Sequence, residues 1–567
     1  MKIGHLYPVV EISDLKEMLA LSSEKYGSKA AFLTKDETGI YREISYKRFR
    51  DDIESLGSAL FNRINNETKV AVIGQNCYEW AVSYLAAVNG LGVVVPIDKE
   101  LPASEIASLI ERAGVEIVIY SDRYKEKIDQ IKSGLSCVRY YVNMHAKASD
   151  SDAVFSELIS DGRKLIEKGE LKYIEKEVNR ETMSILLFTS GTTATAKGVM
   201  LSHKNICENL MAMCSMSYIG DDDIFLSVLP LHHTYECTCG FLCPIYRGST
   251  IAYCEGLRQI QANLKESKAT VMLGVPLLFE GMYQKIMDKA SADKAGARKI
   301  AIALKLTRGL RKIGLDLRKK IFKQIHDAFG GKLRLLVSGA AAIDPEVSKG
   351  FRDFGILLIQ GYGLTEASPI VTLNRDIKYR DAATGLPLPN TEVRISDPDN
   401  EGVGEIIAKG PSIMLGYYDD EKSTNEVLKN GWFYTGDLGY IDRDGFVYIT
   451  GRKKNVIITK NGKNVFPEEI EAKLQKSPYI AEVVVKEEQS DSDETIIAAI
   501  IHPNIDKIIE DFKAGTIKDP DVNEIIRNVI RDYNKEAIIF KKIKKYIIRE
   551  EEFEKTTTKK IKRHMIK

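Results

Sequence analysis

Short runs of apolar residues recur through the first two thirds of the chain and predict strands. Nine runs stand out: KVAVIG (69–74), VVVPI (93–97), VEIVIY (115–120), ILLFT (185–189), FLSVL (225–229), TIAYC (250–254), TVMLGV (270–275), LRLLVSG (333–339) and ILLIQGYG (356–363). Stretches with helical periodicity, such as EWAVSYLAAVNG (79–90), lie between several of them. Strands that alternate with helices are typical of parallel sheets, and strands that are apolar throughout need helices on both faces. The pattern therefore predicts an α/β fold.

The pattern changes near residue 385, where glycine-rich and aspartate-rich turns separate short strands. The segments NTEVRISDPDNEGVGEIIAKGP (390–411) and WFYTGDLGYIDRDGFVYITG (432–451) have the spacing of hairpins and predict a β-rich subdomain. From Arg452 the order becomes strand, helix, strand, strand, helix, with helices predicted at 466–476 and 521–533. We therefore divide the chain into a large domain, 1–451, and a small α+β domain, 452–567. The segment 131–153 is predicted to be a surface loop.

Composition narrows the class of protein. A chain of 567 residues exceeds what one hydrophobic core usually organises, so more than one domain is expected. Its 81 basic and 80 acidic residues give a formal charge of +1, which provides no global attraction to nucleic acid or acidic membranes. The eight cysteines lack the spacing of a disulfide framework and predict reduced thiols. With no secretory signal or membrane-spanning apolar run apparent, a cytoplasmic protein is expected.

The segment FTSGTTATAKGVMLSH (188–203) is rich in groups that bind anions. Two glycines and six hydroxyl side chains would aim donors at one point, and Lys197 would supply a positive charge. The order Lys197-Gly198-Val199 excludes a Walker A loop, which needs Gly-Lys-Ser/Thr. Taken alone, the segment fits either a phosphate loop or a flexible surface loop.

Two further segments carry groups that suit a nucleotide. In LIQGYGLTEASP (358–369), Tyr362 would offer a face to a base, Thr365 a hydroxyl to phosphate, and Glu366 a carboxylate to Mg²⁺. In YTGDLGYID (434–442), Asp437 would accept hydrogen bonds from two ribose hydroxyls. Each segment alone also fits an ordinary turn.

Together and in this order, FTSGTTATAKG, YGLTE, YTGDLG and Gly451-Arg452 resemble the motifs of the adenylate-forming (AMP-binding) superfamily. That superfamily includes acyl-CoA synthetases, peptide-synthetase adenylation domains and beetle luciferases. YGLTE and YTGDLG match without change, whereas Ala194 and Ala196 stand where the family's phosphate loop usually has glycine and proline. The resemblance covers essentially the whole chain and implies ATP and Mg²⁺ as cofactors, with CoA as co-substrate.

The resemblance also implies roles for particular residues. The ATP phosphates would be bound by Thr189, Ser190, Gly191, Thr192, Thr193 and Lys197. Adenine would lie against the turn of Gly339, Ala340 and Ala341 and stack on Tyr362, beside Gly363. Thr365 would contact the α-phosphate, and Glu366 would hold the metal. Asp437 and Arg452 would bind the ribose, and Lys454 would be the hinge about which a mobile C-terminal domain rotates.

The C-terminal segment EKTTTKKIKR (554–563) resembles the family's catalytic lysine motif. The alignment makes Lys560 the catalytic candidate, although the neighbouring Lys559 leaves the register open. Residues 541–567 hold eleven Lys/Arg against four Glu, which also fits a basic tail that is solvated or contacts acidic lipid.

The segment PLHHTYECTCGFLC (230–243) crowds two histidines and three cysteines, namely His232, His233, Cys237, Cys239 and Cys243. Their spacing fits no closed zinc site. The resemblance instead implies that this segment lines an acyl pocket, with His233 near the carboxylate and small residues leaving room for a chain.

These motifs are most similar to those of fatty acyl-CoA synthetases. The resemblance predicts ATP-dependent conversion of a medium-chain to long-chain fatty acid to acyl-AMP, release of pyrophosphate, and transfer of the acyl group to CoA. Two alternatives stay open: an acyl-AMP ligase that loads a carrier protein, and a non-catalytic protein that binds adenylate or lipid. A nucleic-acid partner is not expected, and the sequence leaves the oligomeric state, including a homodimer, open.

Overall fold

The structure is a computed structural model and describes residues 6–64, 67–146, 152–189, 196–290, 294–458, 464–489, 495–555 and 561–566. Its contacts divide the chain into two compact units. The first contains Met1–Val393, Ala408–Phe433 and Arg443–Val447, and the second contains Arg394–Ile407, Tyr434–Asp442 and Tyr448–Lys567. The domain boundary at residue 451 stays a prediction.

The elements carry the following bounds. The strands are β1 Ala30–Lys35, β2 Tyr41–Ser45, β3 Thr68–Ile73, β4 Gly92–Pro96, β5 Ile117–Tyr120, β6 Tyr140–Asn143, β7 Ala153–Val154, β8 Met183–Thr189, β9 Lys197–Ser202, β10 Ile224–Ser227, β11 Thr250–Tyr253, β12 Val271–Gly274, β13 Leu335–Ser338, β14 Leu357–Gly363, β15 Ile370–Leu373, β16 Leu386–Pro387, β17 Glu392–Ser396, β18 Gly404–Lys409, β19 Gly416–Tyr417, β20 Leu428–Lys429, β21 Trp432–Ile441, β22 Val447–Arg452, β23 Ile457–Ile458, β24 Asn464–Val465, β25 Ile480–Gln489, β26 Thr495–Pro503 and β27 Ile543–Ile548. The α-helices are α1 Leu15–Tyr26, α2 Tyr46–Phe61, α3 Tyr78–Ala86, α4 Ala103–Ala113, α5 Lys125–Lys132, α6 Phe155–Glu167, α7 Lys172–Glu175, α8 His203–Met216, α9 Cys243–Arg247, α10 Ile260–Ser267, α11 Pro276–Ala290, α12 Lys294–Lys312, α13 Arg318–Ile321, α14 Lys323–Ala328, α15 Pro345–Phe354, α16 Glu421–Val427, α17 Pro467–Leu474, α18 Ile505–Lys513 and α19 Val522–Glu536.

An eight-stranded sheet organises part of the first unit, in the order β19-β9-β8-β4-β3-β5-β6-β7. The pairs from β8 to β7 are parallel, and the pairs β8/β9 and β9/β19 are antiparallel. Apolar side chains of β3 and β5 pack with helix α4, for example Ala71, Val118 and Ile110, to form one core. This sheet carries the hairpin that contains the predicted phosphate loop.

A nine-stranded sheet forms the rest of the first unit, in the order β16-β15-β14-β13-β12-β10-β11-β1-β2. The run from β14 to β1 is parallel, and the strands at its two ends are antiparallel. Helix α15 covers this sheet through Phe351 and joins the core of β12 and β13. Asp344 caps the start of this helix, Pro345 opens its first turn, and Gly355 ends it in a left-handed conformation, as capping rules require.

All nine strands predicted from apolar runs are present, and the predicted α/β class is confirmed. The first four lie in the eight-stranded sheet and the last five lie in the nine-stranded sheet. The hydrophobic pattern cannot assign strands to sheets because it records burial along one segment and contains no information about the neighbouring strand.

One local prediction is wrong, and one predicted helix is present but changes form at its end. The segment 131–153 is not simply a surface loop, because β6 lies within it and pairs in parallel with β5 and β7. The helix predicted at 79–90 ends as an α-helix at Ala86 and continues as a π-helical turn, Ala87–Leu91. The ring of Tyr173 packs against Gly90, where a Cβ atom would lie 2.7 Å from the ring.

The C-terminal part of the second unit contains a three-stranded sheet in the order β25-β26-β27. Helices α17 and α19 pack on it through apolar residues that include Ile470 and Ile526. Both helices and the first two strands were predicted, whereas α18 and β27 were missed. A five-stranded sheet, β17-β18-β21-β20 with β22 paired to β21, corresponds to the predicted β-rich region.

The structure also bears on two expectations drawn from the sequence, which concern membrane-spanning segments and cysteine pairing. Among the described residues no helix is both long enough and apolar enough to cross a membrane. All eight cysteines are free, and the closest described pair, Cys214 and Cys243, has its sulfur atoms 3.6 Å apart.

Candidate active site

A hairpin of β8 and β9 positions the first predicted nucleotide-binding residues. Thr189 and Lys197 pair across this hairpin, and the Thr189 hydroxyl donates to the Lys197 carbonyl at 3.4 Å. The predicted phosphate-binding residues Ser190, Gly191, Thr192 and Thr193 lie outside the described residues. The hairpin therefore fixes both ends of the predicted loop at the edge of the eight-stranded sheet.

Lys197 is connected to Glu366 through a tyrosine that was not predicted. The Nζ atom of Lys197 lies 4.8 Å from the centre of the Tyr417 ring. The hydroxyl of Tyr417 donates to Glu366 Oε1 at 2.8 Å. One aromatic side chain thus joins the cation and the carboxylate that the sequence assigned to phosphate and metal.

Backbone pairing holds Tyr417 beside β9, and a raised pKa keeps its hydroxyl protonated. Strand β19 places it opposite Val199 of β9, and its N–H donates to the Thr424 hydroxyl at 2.8 Å. Burial raises the pKa of Tyr417 well above its usual value, and the Glu366 carboxylate raises it further. Tyr417 therefore remains a hydrogen-bond donor throughout the physiological pH range. Nothing in its local sequence distinguishes it, so only the tertiary structure could identify it.

Two asparagines of α8 hold the Glu366 turn. Asn209, which is fully buried, donates to the carbonyls of Ala367 at 3.1 Å and Ile370 at 2.8 Å. One turn earlier, Asn205 donates to the carbonyls of Pro411 at 2.7 Å and Ile413 at 2.9 Å. The N–H of Met414 in turn donates to the Glu366 carbonyl at 2.8 Å. Helix α8 therefore fixes the carboxylate turn and the segment that leads to Tyr417 relative to each other.

Parallel strands β13 and β14 bring two predicted adenine-binding segments to one edge of the nine-stranded sheet. Ser338 pairs with Gln360, so the turn that starts at Gly339 lies beside the C-terminal end of β14, which contains Tyr362. The carboxyl ends of parallel strands are where ligands bind in open α/β sheets. Tyr362 is only 8% exposed, and its stacking on adenine stays a prediction.

Close packing explains the glycines and the turn here. A Cβ atom on Gly363 would lie 2.0 Å from the carbonyl oxygen of Pro369, and one on Gly339 would lie 2.8 Å from the Tyr235 ring. Ala340 has φ +71°, which costs on the order of 1 kcal/mol for a residue with a Cβ. Ala340 and Ala341 are exposed, as a segment that meets a ligand would be.

The predicted acyl-pocket segment lies beside β4, β8 and β10. His232 and His233 have their rings 4.1 Å apart, and His232 Nε2 lies 3.5 Å from Asp98 Oδ2. Glu236 is buried and accepts from the Ser227 hydroxyl at 2.6 Å, and its burial raises the pKa of this carboxyl group to about 8. A narrow apolar cavity next to them is lined by Tyr84, Pro96, Ile185, Leu187, Ile206, Leu231, His232, Thr234, Cys237 and Thr238.

The five histidine and cysteine residues of this segment do not form one metal cluster. Cys243 lies against Cys214, and Cys239 lies 3.7 Å from the sulfur of Met213. In the described part of the chain, His232 and His233 instead group with Asp98.

The second unit contains the residues predicted to bind ribose. Asp437 is 4% exposed, and its Oδ1 lies 2.7 Å from Arg452 Nε. Glu405 forms a second carboxylate–cation contact in this unit. Its Oε1 accepts from the Gly436 N–H at 3.0 Å, and its Oε2 lies 2.7 Å from Lys453 Nζ. The strands β18, β21 and β22 therefore present an oriented carboxylate within this unit.

The predicted hinge and tail lie in the same unit. Lys454 follows Arg452 and Lys453 in a tight turn, and partial burial together with the charges of Arg452 and Arg563 lowers its pKa. Lys560, the predicted catalytic lysine, and its neighbour Lys559 lie outside the described residues. On either side of them, Lys555 forms an ion pair with Glu482 and Arg563 forms one with Glu471.

The two parallel-stranded sheets, with the motifs at their edges, define an α/β enzyme of the adenylate-forming type. The family model of the AMP-binding enzyme matches residues 19–418, and the chain belongs to this family. The solved structures of the anthranilate CoA ligase AuaEII and of ATP-bound MatB from Rhodopseudomonas palustris both align with a TM-score of 0.75. Their identities to this chain are 19% and 22%, and the alignments cover 99% and 98% of this chain and 97% and 98% of theirs.

Curated relatives agree with the predicted enzyme class. Fatty acyl-CoA synthetase B of Dictyostelium discoideum is 29% identical over 91% of this chain and 81% of its own length. Long-chain-fatty-acid–CoA ligase 5 of Rattus norvegicus is 30% identical over 78% of this chain and 69% of its own length. The predicted family and the predicted class, an acid–thiol ligase, are confirmed, whereas the roles of the individual site residues stay predictions.

Proposed function

We propose that this chain activates a medium-chain to long-chain fatty acid in two half-reactions. The carboxylate attacks the α-phosphorus of ATP and releases pyrophosphate, and the thiol of CoA then attacks the acyl carbon of acyl-AMP and releases AMP. The observation that carries the proposal is the connected series Lys197, Tyr417 and Glu366. The names of the relatives support the substrate class.

Charge is the main barrier to the first half-reaction. A carboxylate and a triphosphate repel each other, so the site must place positive charge and hydrogen-bond donors around the phosphates before the two can react. Lys197 provides one such charge at the start of β9. In their predicted roles, Thr189 would add a hydrogen-bond donor and Lys560 a second positive charge. Alignment of the carboxylate oxygen with the α-phosphorus would contribute the rest of the acceleration.

The residues around Glu366 suit Mg²⁺, a hard cation that prefers oxygen ligands. Tyr417 donates to Oε1 of Glu366, and the other carboxylate oxygen would hold the ion, while the Thr365 hydroxyl would contact the α-phosphate. Bound Mg²⁺ would neutralise phosphate charge. In this proposal Tyr417 orients the carboxylate, while Asn209 holds the backbone of the turn.

An apolar acid suits the segment that contains His233. The cavity beside it is lined mainly by apolar side chains, among them Ile185 and Leu187 of β8 and Cys237. Glu236 retains its proton below about pH 8, so at neutral pH it adds no negative charge that would repel a substrate carboxylate. This segment would therefore accept an alkyl chain more readily than a charged one.

The second unit would supply the ribose contacts and the change between half-reactions. The Arg452 side chain holds Asp437 in one orientation, which prepares its carboxylate to accept from paired hydroxyls. We propose that Lys560 serves adenylation and that a rotation about Lys454 precedes attack by the thiol, because one arrangement cannot serve both steps.

The test is exchange of labelled pyrophosphate into ATP with acids from acetate to palmitate, followed by product analysis with CoA added. We expect exchange that depends on long-chain acids, and an acyl-CoA product. Exchange without acyl-CoA would point to a carrier protein as the acceptor. No exchange with any acid would favour a protein that only binds adenylate or lipid.

A further inference from the structure

Helix α12 carries an apolar stripe on its solvent-facing side. Ile302, Leu306 and Ile313 are 58%, 52% and 71% exposed. Spacings of four and seven residues place the first two and residue 313, just after the helix, on one face. Leu315 and Leu317 follow with exposures of 51% and 37%. Five of the 22 exposed large hydrophobic residues of the described chain therefore lie within 302–317.

The opposite face of α12 already has its packing partners. Thr307 is 2% exposed, and Arg308 donates to Asp353 of α15 with its Nε at 3.1 Å. The apolar stripe is therefore not the face that joins the helix to the protein core. An outward stripe of this kind has no role in folding and indicates an interaction surface.

Basic side chains surround the stripe. Residues 298–323 contain ten Lys/Arg and a single acidic residue, Asp316, in a chain whose total formal charge is +1. Arg298 and Lys305 lie beside the stripe on the helix, and Lys312 lies at its end; all three are exposed. One concentration of basic charge in this chain thus coincides with a concentration of exposed apolar side chains.

We propose that this surface, defined by Ile302, Leu306 and Ile313 with their basic neighbours, docks on the face of an anionic lipid bilayer. An amphipathic helix binds there by inserting apolar side chains at the level of the headgroups while Lys and Arg contact the lipid phosphates. The inference is independent of the proposed ligase activity. It concerns α12 and not the basic C-terminal tail.

The chemistry of the surface favours a bilayer over two other occupants. A nucleic acid would attract the basic side chains, but its phosphate backbone offers nothing to three exposed aliphatic side chains. A second copy of this chain would cover the stripe but would bring the exposed Arg298, Lys305 and Lys312 close to their like-charged counterparts. Of these three occupants, only an anionic lipid surface offers both apolar contacts for the stripe and negative charge for the basic side chains.

The experiment measures co-sedimentation of the full chain with vesicles of phosphatidylcholine alone or of phosphatidylcholine mixed with about 30% of the anionic lipid phosphatidylglycerol. We expect binding to the anionic vesicles that weakens strongly in about 0.5 M NaCl, since salt screens the charges. The charge variant is R298E/K305E/K312E, and the stripe variant is I302S/L306S/I313S.

Each variant has a matched control of equal charge or polarity change elsewhere. For the charge variant it is K168E/K172E/K518E, which alters three exposed lysines, and for the stripe variant it is I40S/L257S/I377S, which alters three exposed apolar residues. A contribution of roughly fivefold per basic residue predicts a loss of about 100-fold or more for the charge variant. We expect at least a tenfold loss for the stripe variant and less than a twofold change for either control.

Three results would overturn the proposal. The first is no preference of the wild type for anionic vesicles. The second is a loss of binding in the charge variant but not in the stripe variant, which would indicate a general polyanion surface. The third is a concentration-dependent dimer that the stripe variant abolishes without any binding to vesicles. Should a variant fold poorly, hydrogen exchange of the wild type decides: slower exchange of residues 298–313 on anionic vesicles supports docking, and unchanged exchange refutes it.

Discussion

The hydroxyl of Tyr417 provides the sharpest test of the site. Substituting Tyr417→Phe removes the 2.8 Å hydrogen bond to Glu366 Oε1. The aromatic ring that lies 4.8 Å from Lys197 Nζ is retained. The perturbation therefore separates the orientation of the carboxylate from the packing of the lysine.

The magnitude follows from the type of bond. A hydrogen bond to an ionised carboxylate contributes about 1.5–3 kcal/mol. Because Glu366 is only partly buried, we expect a value near the lower end, about 2 kcal/mol. That energy corresponds to about a 30-fold loss of kcat/KM if the oriented carboxylate acts in the transition state.

The assay is pyrophosphate exchange with saturating palmitate and ATP while the Mg²⁺ concentration is varied. A loosely held carboxylate should bind metal less well, so half-maximal activity should require several times more Mg²⁺ in Tyr417→Phe. The matched control is Tyr418→Phe, since the neighbouring hydroxyl accepts from Lys69 at 3.3 Å and makes no contact with Glu366. Equal behaviour of the two variants in both rate and Mg²⁺ requirement would refute the role of Tyr417.

Four further predictions follow from the site and its supports. Glu366→Ala should lower Mg²⁺-dependent turnover about 100-fold or more, measured by pyrophosphate exchange. Lys560→Ala should abolish adenylation but spare thioester formation from supplied acyl-AMP, and the same result for Lys559→Ala would move the tail register by one residue. Asn209→Ala should lower the free energy of unfolding by about 3 kcal/mol in urea, because it leaves buried carbonyls without their donor. Glu236→Gln should remove a pH-dependent loss of stability, because burial raises the folded-state pKa of the Glu236 carboxyl group from 4.5 to about 8. Between those pH values the unfolded chain has released this proton and the folded chain has kept it. Wild-type stability therefore falls as pH rises, by up to about 1.4 kcal/mol per pH unit.

Each of these predictions has a result that contradicts it. Unchanged turnover in Glu366→Ala would remove this residue from the metal role. Equal stability of Asn209→Ala and of a control at exposed Asn523 would mean that the α8 contacts do not hold the turn. A stability difference between Glu236→Gln and wild type that stays constant from pH 5 to 9 would show that the buried carboxyl group does not titrate as its burial implies.

Local motifs supplied most residues of the predicted site because each group of residues is contiguous in sequence. Thr365 and Glu366 follow β14, and Asp437 lies on β21, so a strand and its turn suffice to display them. The residues that hold them come from elsewhere in the chain. Asn209 lies 157 residues before Glu366, and Tyr417 lies 51 residues after it. Neither carries a signal in its own sequence neighbourhood.

The predicted strands show the same difference between local sequence signals and contacts made by distant residues. The run VEIVIY is apolar enough to predict β5, but the more polar pattern of the segment that contains β6 predicts a loop. β6 is a strand because β5 and β7 supply its hydrogen-bond partners. Likewise α18 and β27 were missed because their burial depends on neighbouring elements of the second unit.

The sequence by itself determined the class of fold, the family, and the segments predicted to carry the chemistry, because periodicity, capping and contiguous motifs are local properties. Only the tertiary structure decided which strands share a sheet, which residues orient Glu366, and that α12 turns an apolar stripe outward. Each of these depends on contacts between residues far apart in the chain. Burial and hydrogen bonding across such distances arise from packing and leave no periodic trace in the sequence.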